Sequence, residues 1–155
     1  MDEPKVRIVE LEPVRVASAW GYGTSPESAA WEKLGAWMRS IGLETAGRRF
    51  FGFDNPCPSP GQSRYGYEGW VTVGDDVKPS ADVRLDDFDG GRYAVIRCTL
   101  DDLADAWKWL FDWRKRSGIA PAFHRALEEC LTPPVEGAGG QTLFDLYLPI
   151  AETAG

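Results

Sequence analysis

Two segments of this 155-residue chain combine residue types that could hold a cation or move a proton. The first, residues 121–131 (PAFHRALEECL), contains the single histidine of the sequence. Read as a short helix, it puts Phe123, Leu127, Cys130 and Leu131 on one apolar face. Glu129 then points away into solvent, and Glu128 shares a flank with His124 one turn earlier. A carboxylate on such a boundary can be partly desolvated, its pKa raised, and used to hold a cation or accept a proton. The same spacing also describes a surface pair of small energetic value, which is the commoner case. No second histidine or paired cysteine completes a zinc set.

The second segment is residues 50–73, FFGFDNPCPSPGQSRYGYEGWVTV. It reads as strand, Pro/Gly-rich excursion and strand, too aromatic for an ordinary loop and too polar for plain core. That mixture suits the wall of an organic-ligand pocket. Alternation sets Tyr65, Tyr67, Val71 and Val73 on one face and Glu68, Trp70 and Thr72 on the other. Glu68 beside Trp70 is either a cation-binding wall, carboxylate plus ring face, or a solvent-facing acid beside a covered tryptophan. In residues 143–150 (LFDLYLPI), Phe144, Leu146, Leu148 and Ile150 alternate with Asp145 and Tyr147. Tyr147 is therefore an exposed edge tyrosine or a pocket hydroxyl. Trp109 lies off the stripe of Leu103, Trp107 and Leu110, so it needs a second surface to cover it.

The elements that would position these groups follow from pattern. Residues 5–22 read as one long strand or two strands broken at Pro13. Ser25-Pro26 opens a helix with Trp31, Leu34, Met38 and Ile41 on its stripe, and Gly42 ends it. Residues 83–85 and 93–99 read as strands around Gly90-Gly91, residues 101–117 as a second helix, 133–140 as a Pro/Gly-rich loop and 143–150 as a final strand. The order contains a weak duplication, with pseudo-repeats at about 5–74 and 82–150. The expected fold class is α+β: duplicated strand–helix–strand–strand units form an antiparallel sheet, with helices on one face and a ligand pocket at the seam.

Bulk properties narrow the classes. At this length the chain is most simply one domain. A net charge of −7 argues against a nucleic-acid partner. The odd, scattered cysteines Cys57, Cys98 and Cys130, the lack of a basic-then-apolar leader and the lack of a long apolar run point to the cytoplasm, with no membrane partner. No GxSxG elbow, phosphate loop or HExxH pair is present, and Asp86, Asp87 and Asp89 miss the EF-hand spacing. No metal or cofactor is expected; a protein partner is possible, since the acidic surface permits a protein–protein inhibitor, but nothing in the sequence indicates one.

Taken in order, FGFDNPCPSPG, YGYEGWVTV, GGRYAVIRCT, WKWLFDW, HRALEECL and FDLYLPI resemble the GyrI-like small-molecule-binding superfamily over nearly the whole chain. That superfamily includes the effector-binding domains of AraC-type and MerR-type multidrug regulators. The resemblance implies a duplicated strand–helix–strand–strand fold and an aromatic pocket. A glutamate from the segment before the last strand enters that pocket and meets cationic, lipophilic drugs. Glu128 matches that glutamate and Tyr147 the tyrosine of the terminal strand. Glu68 stands where regulators often have Asp, and Cys130 where Tyr or His is frequent. With no helix-turn-helix segment, the sequence resembles stand-alone members, some of which are hydrolases that open the cyclopropane of alkylating antibiotics.

The sequence thus suggests a binder of lipophilic, aromatic or cationic small molecules, with Glu68, Trp70, Trp109, His124, Glu128 and Tyr147 as ligand-binding residues. The alternative is a hydrolase of cyclopropane-bearing or similar electrophilic antibiotics in the same pocket. There Glu128 would act as general base, with Tyr147 or His124 assisting.

Overall fold

A computed structural model describes residues 1–135 and 143–152 of the chain. The described residues form an α+β protein of eight strands and two helices, and each strand pairing within its two compact units is antiparallel. Among the described residues, no helix is long and apolar enough to cross a membrane.

Proline 13 breaks the first β-rich stretch into β1 (Arg7–Leu11) and β2 (Val14–Gly23), because it has no N–H to give to a ladder. Helix α1 (Pro26–Ser40) starts on a proline whose missing N–H is one of the first-turn orphans. It buries Ala30, Leu34, Trp37 and Met38, and Gly42 at φ 69° turns the chain away. Two expectations fail at its ends. Ser25 makes no side-chain cap, and Ile41 lies just outside the helix at 44% exposure. Strands β3 (Phe50–Asp54), β4 (Tyr65–Thr72) and β5 (Val83–Phe88) follow.

Strand β6 (Gly91–Thr99) leads through a 3-10 turn into α2 (Leu103–Arg116), which buries Ala106 and Leu110. Its basic last turn suits the negative helix end, and Arg114 there donates to the Pro149 carbonyl at 2.8 Å. The expected short helix over 121–131 is absent. Leu127–Cys130 is instead strand β7, paired with β8 (Leu143–Pro149). A helix that short is marginal alone, and the backbone ladder to β8 overrides the helix propensity of Ala, Leu and Glu. Most of the loop expected over 133–140 lies outside the described residues.

Two compact units emerge, one built on Val14–Phe88, the other on Met1–Pro13 with Asp89–Thr132 and the last strand. In the first unit the strand order is β3-β4-β2-β5, with α1 against β2 and β4. In the second it is β7-β8-β6-β1, with α2 against β6 and β8. The two orders match element for element. Each unit, however, takes its edge strand from the other pseudo-repeat. β1 precedes the first repeat's hairpin yet pairs with β6, and β5 precedes β6 yet pairs with β2.

Candidate functional site

In each unit one sheet face meets the helix, and the chemistry gathers on the other. In the first unit, register sets Phe51, Trp70, Ser18 and Arg84 in one row and Phe53, Glu68 and Trp20 in the next. Glu68 is only 3% exposed. Its Oε1 accepts from Ser18 Oγ at 2.7 Å, Trp70 Nε1 at 3.0 Å and Arg84 at 2.9 Å, and its Oε2 accepts from Asn55 Nδ2 at 3.3 Å. Burial pushes this carboxyl up. The hydrogen bonds from Trp70, Ser18 and Asn55 and the charge of Arg84 outweigh burial, so its pKa ends below the usual 4.5. Phe53 and Phe88 flank the Trp70 ring, each with its centroid 5.1 Å away. Trp20 and Tyr22 stack at 5.7 Å and stay half-exposed, with Trp20 Nε1 donating to the Asn55 carbonyl at 2.7 Å. Gly66 makes that closure possible, since a Cβ there would overlap the Asn55 carbonyl oxygen.

In the second unit the helix-free face carries Leu127, Tyr147, Val95 and Arg7 in one row and Glu129, Asp145 and Arg97 in the next. Tyr147 donates its hydroxyl to Glu129 Oε1 at 2.7 Å, and both groups are buried. Tyr93 stands edge-on to Tyr147 at 5.4 Å and to His124 at 4.7 Å. Its hydroxyl donates to the Arg125 carbonyl, and burial pushes its pKa far up, so it stays neutral. His124 Nε2 lies 2.8 Å from the Arg92 carbonyl and must carry the proton to bond there. Gly91 leaves room for this ring, because a Cβ would sit 2.7 Å from it.

The sequence candidates thus fall into three places. Glu68 and Trp70 touch each other in the first unit. Tyr147 and His124 share Tyr93 as a neighbour in the second. Glu128 and Trp109 belong to the helix side: Glu128 accepts from Trp107 Nε1 at 3.2 Å, and the Arg116 guanidinium lies 5.9 Å from the Trp109 ring centroid. The expectation that Glu129 is solvated is corrected. It is 7% exposed, because a strand turns successive residues to opposite faces and sends Glu129, not Glu128, to the side of Tyr147. The shared flank of His124 and Glu128 disappears with the helix that created it.

Sequence reasoning missed Ser18, Asn55 and Arg84 around Glu68, and Tyr93, Arg7 and Arg97 in the second unit. Only the pairing of distant strands brings them in, so no local spacing signals them. Among the described residues, no group of three or more His, Cys, Asp or Glu side chains could hold a metal ion.

The profile of the GyrI-like small molecule binding domain matches residues 4–151, and the chain belongs to that family. No curated protein matches it by sequence. Among solved structures, the C-terminal domain of EcmrR is similar with a TM-score of 0.70 at 12% identity, over 97% of this chain and 99% of that one. A hydrolase from Listeria innocua superposes with a TM-score of 0.64 at 12% identity, over 95% and 92%. SAV2435 bound to tetraphenylphosphonium does so with a TM-score of 0.55 at 11% identity, over 95% and 94%. At such identities the likeness is one of fold.

Proposed function

We propose that this protein binds lipophilic aromatic molecules, cationic ones included, and that Glu129 with Tyr147 supplies the polar anchor. The observation that carries this reading is the hydrogen bond between buried Glu129 and Tyr147 on the helix-free face, where Tyr93 stands edge-on to Tyr147 and to His124. A buried carboxylate beside a tyrosine that itself packs against a second tyrosine suits a soft organic cation, which brings charge without a tight hydration shell. Glu68 and Trp70 give the first unit a comparable acid–aromatic pair, whereas Glu128 and Trp109 lie on the helix side, away from Glu129 and Tyr147. SAV2435, which shares the fold, has been solved with tetraphenylphosphonium. The net charge of −7 fits a ligand other than nucleic acid. The free Cys57, Cys98 and Cys130 fit a reducing compartment, and the cytoplasm is the one we propose.

Titration of tryptophan fluorescence with tetraphenylphosphonium and with neutral triphenylmethanol tests this. Glu129→Gln keeps an acceptor for Tyr147 but removes the charge. It should weaken the cation by about tenfold or more and the neutral compound far less. Glu128→Gln should change neither much. Equal losses for both compounds, or a larger loss from Glu128→Gln, would sink the assignment.

A second reading is favoured by the same short bond, since a carboxylate and a phenol in contact can pass a proton. In it Glu129 takes a proton from water as the water oxygen bonds to a strained cyclopropane carbon. The ring C–C bond breaks into the conjugated system of the substrate, and Tyr147 or His124 returns a proton. A hydrolase from Listeria innocua shares the fold. Recovery of an intact cyclopropane-bearing alkylator after long incubation with stoichiometric protein would reject this reading and leave the first standing.

A further inference from the structure

A cleft of about 270 Å³ in the second unit is lined by Lys5, Arg7 and Arg97. So concentrated a positive spot is unexpected on a chain of net charge −7. Its two guanidiniums are held from beneath by one buried carboxylate. Arg97 reaches Asp145 through Nε at 2.9 Å and a second nitrogen at 3.2 Å, and Arg7 reaches it at 2.9 Å. Asp145 is 3% exposed, so it positions both arginines without competing at the surface.

The matching place in the first unit shows what a version with its cation fully paired looks like. Glu68 corresponds to Asp145 and Arg84 to Arg7 in strand register. There a second acid closes the arrangement, because Arg84 also pairs with Asp86 at 2.9 Å. No second acid pairs with Arg7 or Arg97 among the described residues; a third cation, Lys5, is added instead. Asp145 pairs with both arginines and Glu129 acts on Arg97 from a distance, but two acids do not neutralise three cations, and the surplus is a fixed positive field.

We infer that Lys5, Arg7 and Arg97 form a subsite for an anionic group, a carboxylate or phosphate, carried by the same aromatic ligand that meets Glu129 and Tyr147. This rests on the reading above for the aromatic part of the ligand and stands on its own for the anion. Arg97, Asp145 and Glu129 occupy one register row, and Arg7, Val95 and Tyr147 the next. With strands about 4.8 Å apart, the backbone positions of Arg97 and Arg7 lie about 10–15 Å from that of Glu129 across the sheet, a span that a two- or three-ring molecule can bridge. Together the two rows run from positive on β1 and β6 to negative at Glu129 on β7. They therefore suit an amphoteric ligand in one orientation only, its anionic group on the arginines and its cationic or apolar end toward Glu129.

Rhodamine B and its ethyl ester test this, since they share a cationic chromophore and differ in one free carboxylate. By fluorescence anisotropy the acid should bind about five- to tenfold more tightly than the ester. The ratio should fall toward one in Lys5→Gln combined with Arg97→Gln. It should persist in Lys108→Glu, which alters net charge on the exposed side of α2. Equal affinity of the two dyes, or a ratio that survives loss of Lys5 and Arg97, overturns the subsite while ester binding still upholds the aromatic reading. If neither dye binds, the aromatic reading fails, and titration with inorganic phosphate decides the anion subsite. Saturable shifts of the Arg7 and Arg97 Nε–H resonances uphold it, and their absence overturns it.

Discussion

Glu68 shows how a single side chain can be costly and useful together. Its burial would raise its pKa, yet Trp70, Ser18, Asn55 and Arg84 bring it below the ordinary range; Asp145 is likewise raised by burial and then brought low by Arg97 and Arg7. A carboxyl with a depressed folded pKa gives stability that is complete above its unfolded value, near 4.5 for Glu and 3.8 for Asp, and lost as pH falls through the folded value. Asp54, raised by burial and by Glu27, contributes with the opposite sign and blunts the effect. The expected outcome is an acid-unfolding limb below about pH 4.5 that flattens in Glu68→Gln. At neutral pH that variant should lose about 1–3 kcal/mol, because Arg84 and the other donors are left with a weaker acceptor. Urea melts across pH check both, and an unchanged acid limb contradicts the assignment of Glu68.

At the scale of elements, close backbone approach sets what the strands can carry. Gly69 of β4 lies under α1, and a Cβ there would come within 2.7 Å of the Trp31 ring. That ring already stands edge-on to Phe50 and Tyr67. Gly69→Ala should therefore destabilise by about 1–3 kcal/mol through overpacking, read as a lower urea midpoint with an unchanged slope. A neutral result would mean that Trp31 can shift at no cost. Most elements were legible in the sequence: Pro26 and Gly42 frame α1, Pro13 splits β1 from β2, and the alternation of Phe144 to Leu148 reads as a strand. Residues 127–130 were not. Their Leu-Glu-Glu-Cys run fits either period, and only pairing with β8 decides between them. That single change of period puts Glu129 rather than Glu128 beside Tyr147. The grip on Asp145 was equally hidden, since Arg7 and Arg97 reach it from strands far apart in sequence.

The two pseudo-repeats exchange their leading strands, and this governs the whole molecule. β1 forms the edge of the unit built mainly from the second repeat, with Arg7 opposite Val95, and β5 forms the edge of the unit built from the first. Removing residues 1–11 should therefore leave β2 protected while β6 opens. Hydrogen exchange read by mass spectrometry should speed up across 91–99 and change little across 14–23. Uniform acceleration in both segments would contradict this division. The exchange also fixes an order of events as the chain is made. Residues 14–88 hold all four strands and the helix of one unit, so they can close as soon as β5 has emerged. β1 is synthesised before them, yet it has no partner until residue 99 is out, and Asp145, which anchors Arg7, comes later still. A newborn chain thus carries an unpaired strand through most of its synthesis. Its protection in that interval rests on Lys5, Arg7 and Glu10, charges that discourage a second chain from pairing with the open edge.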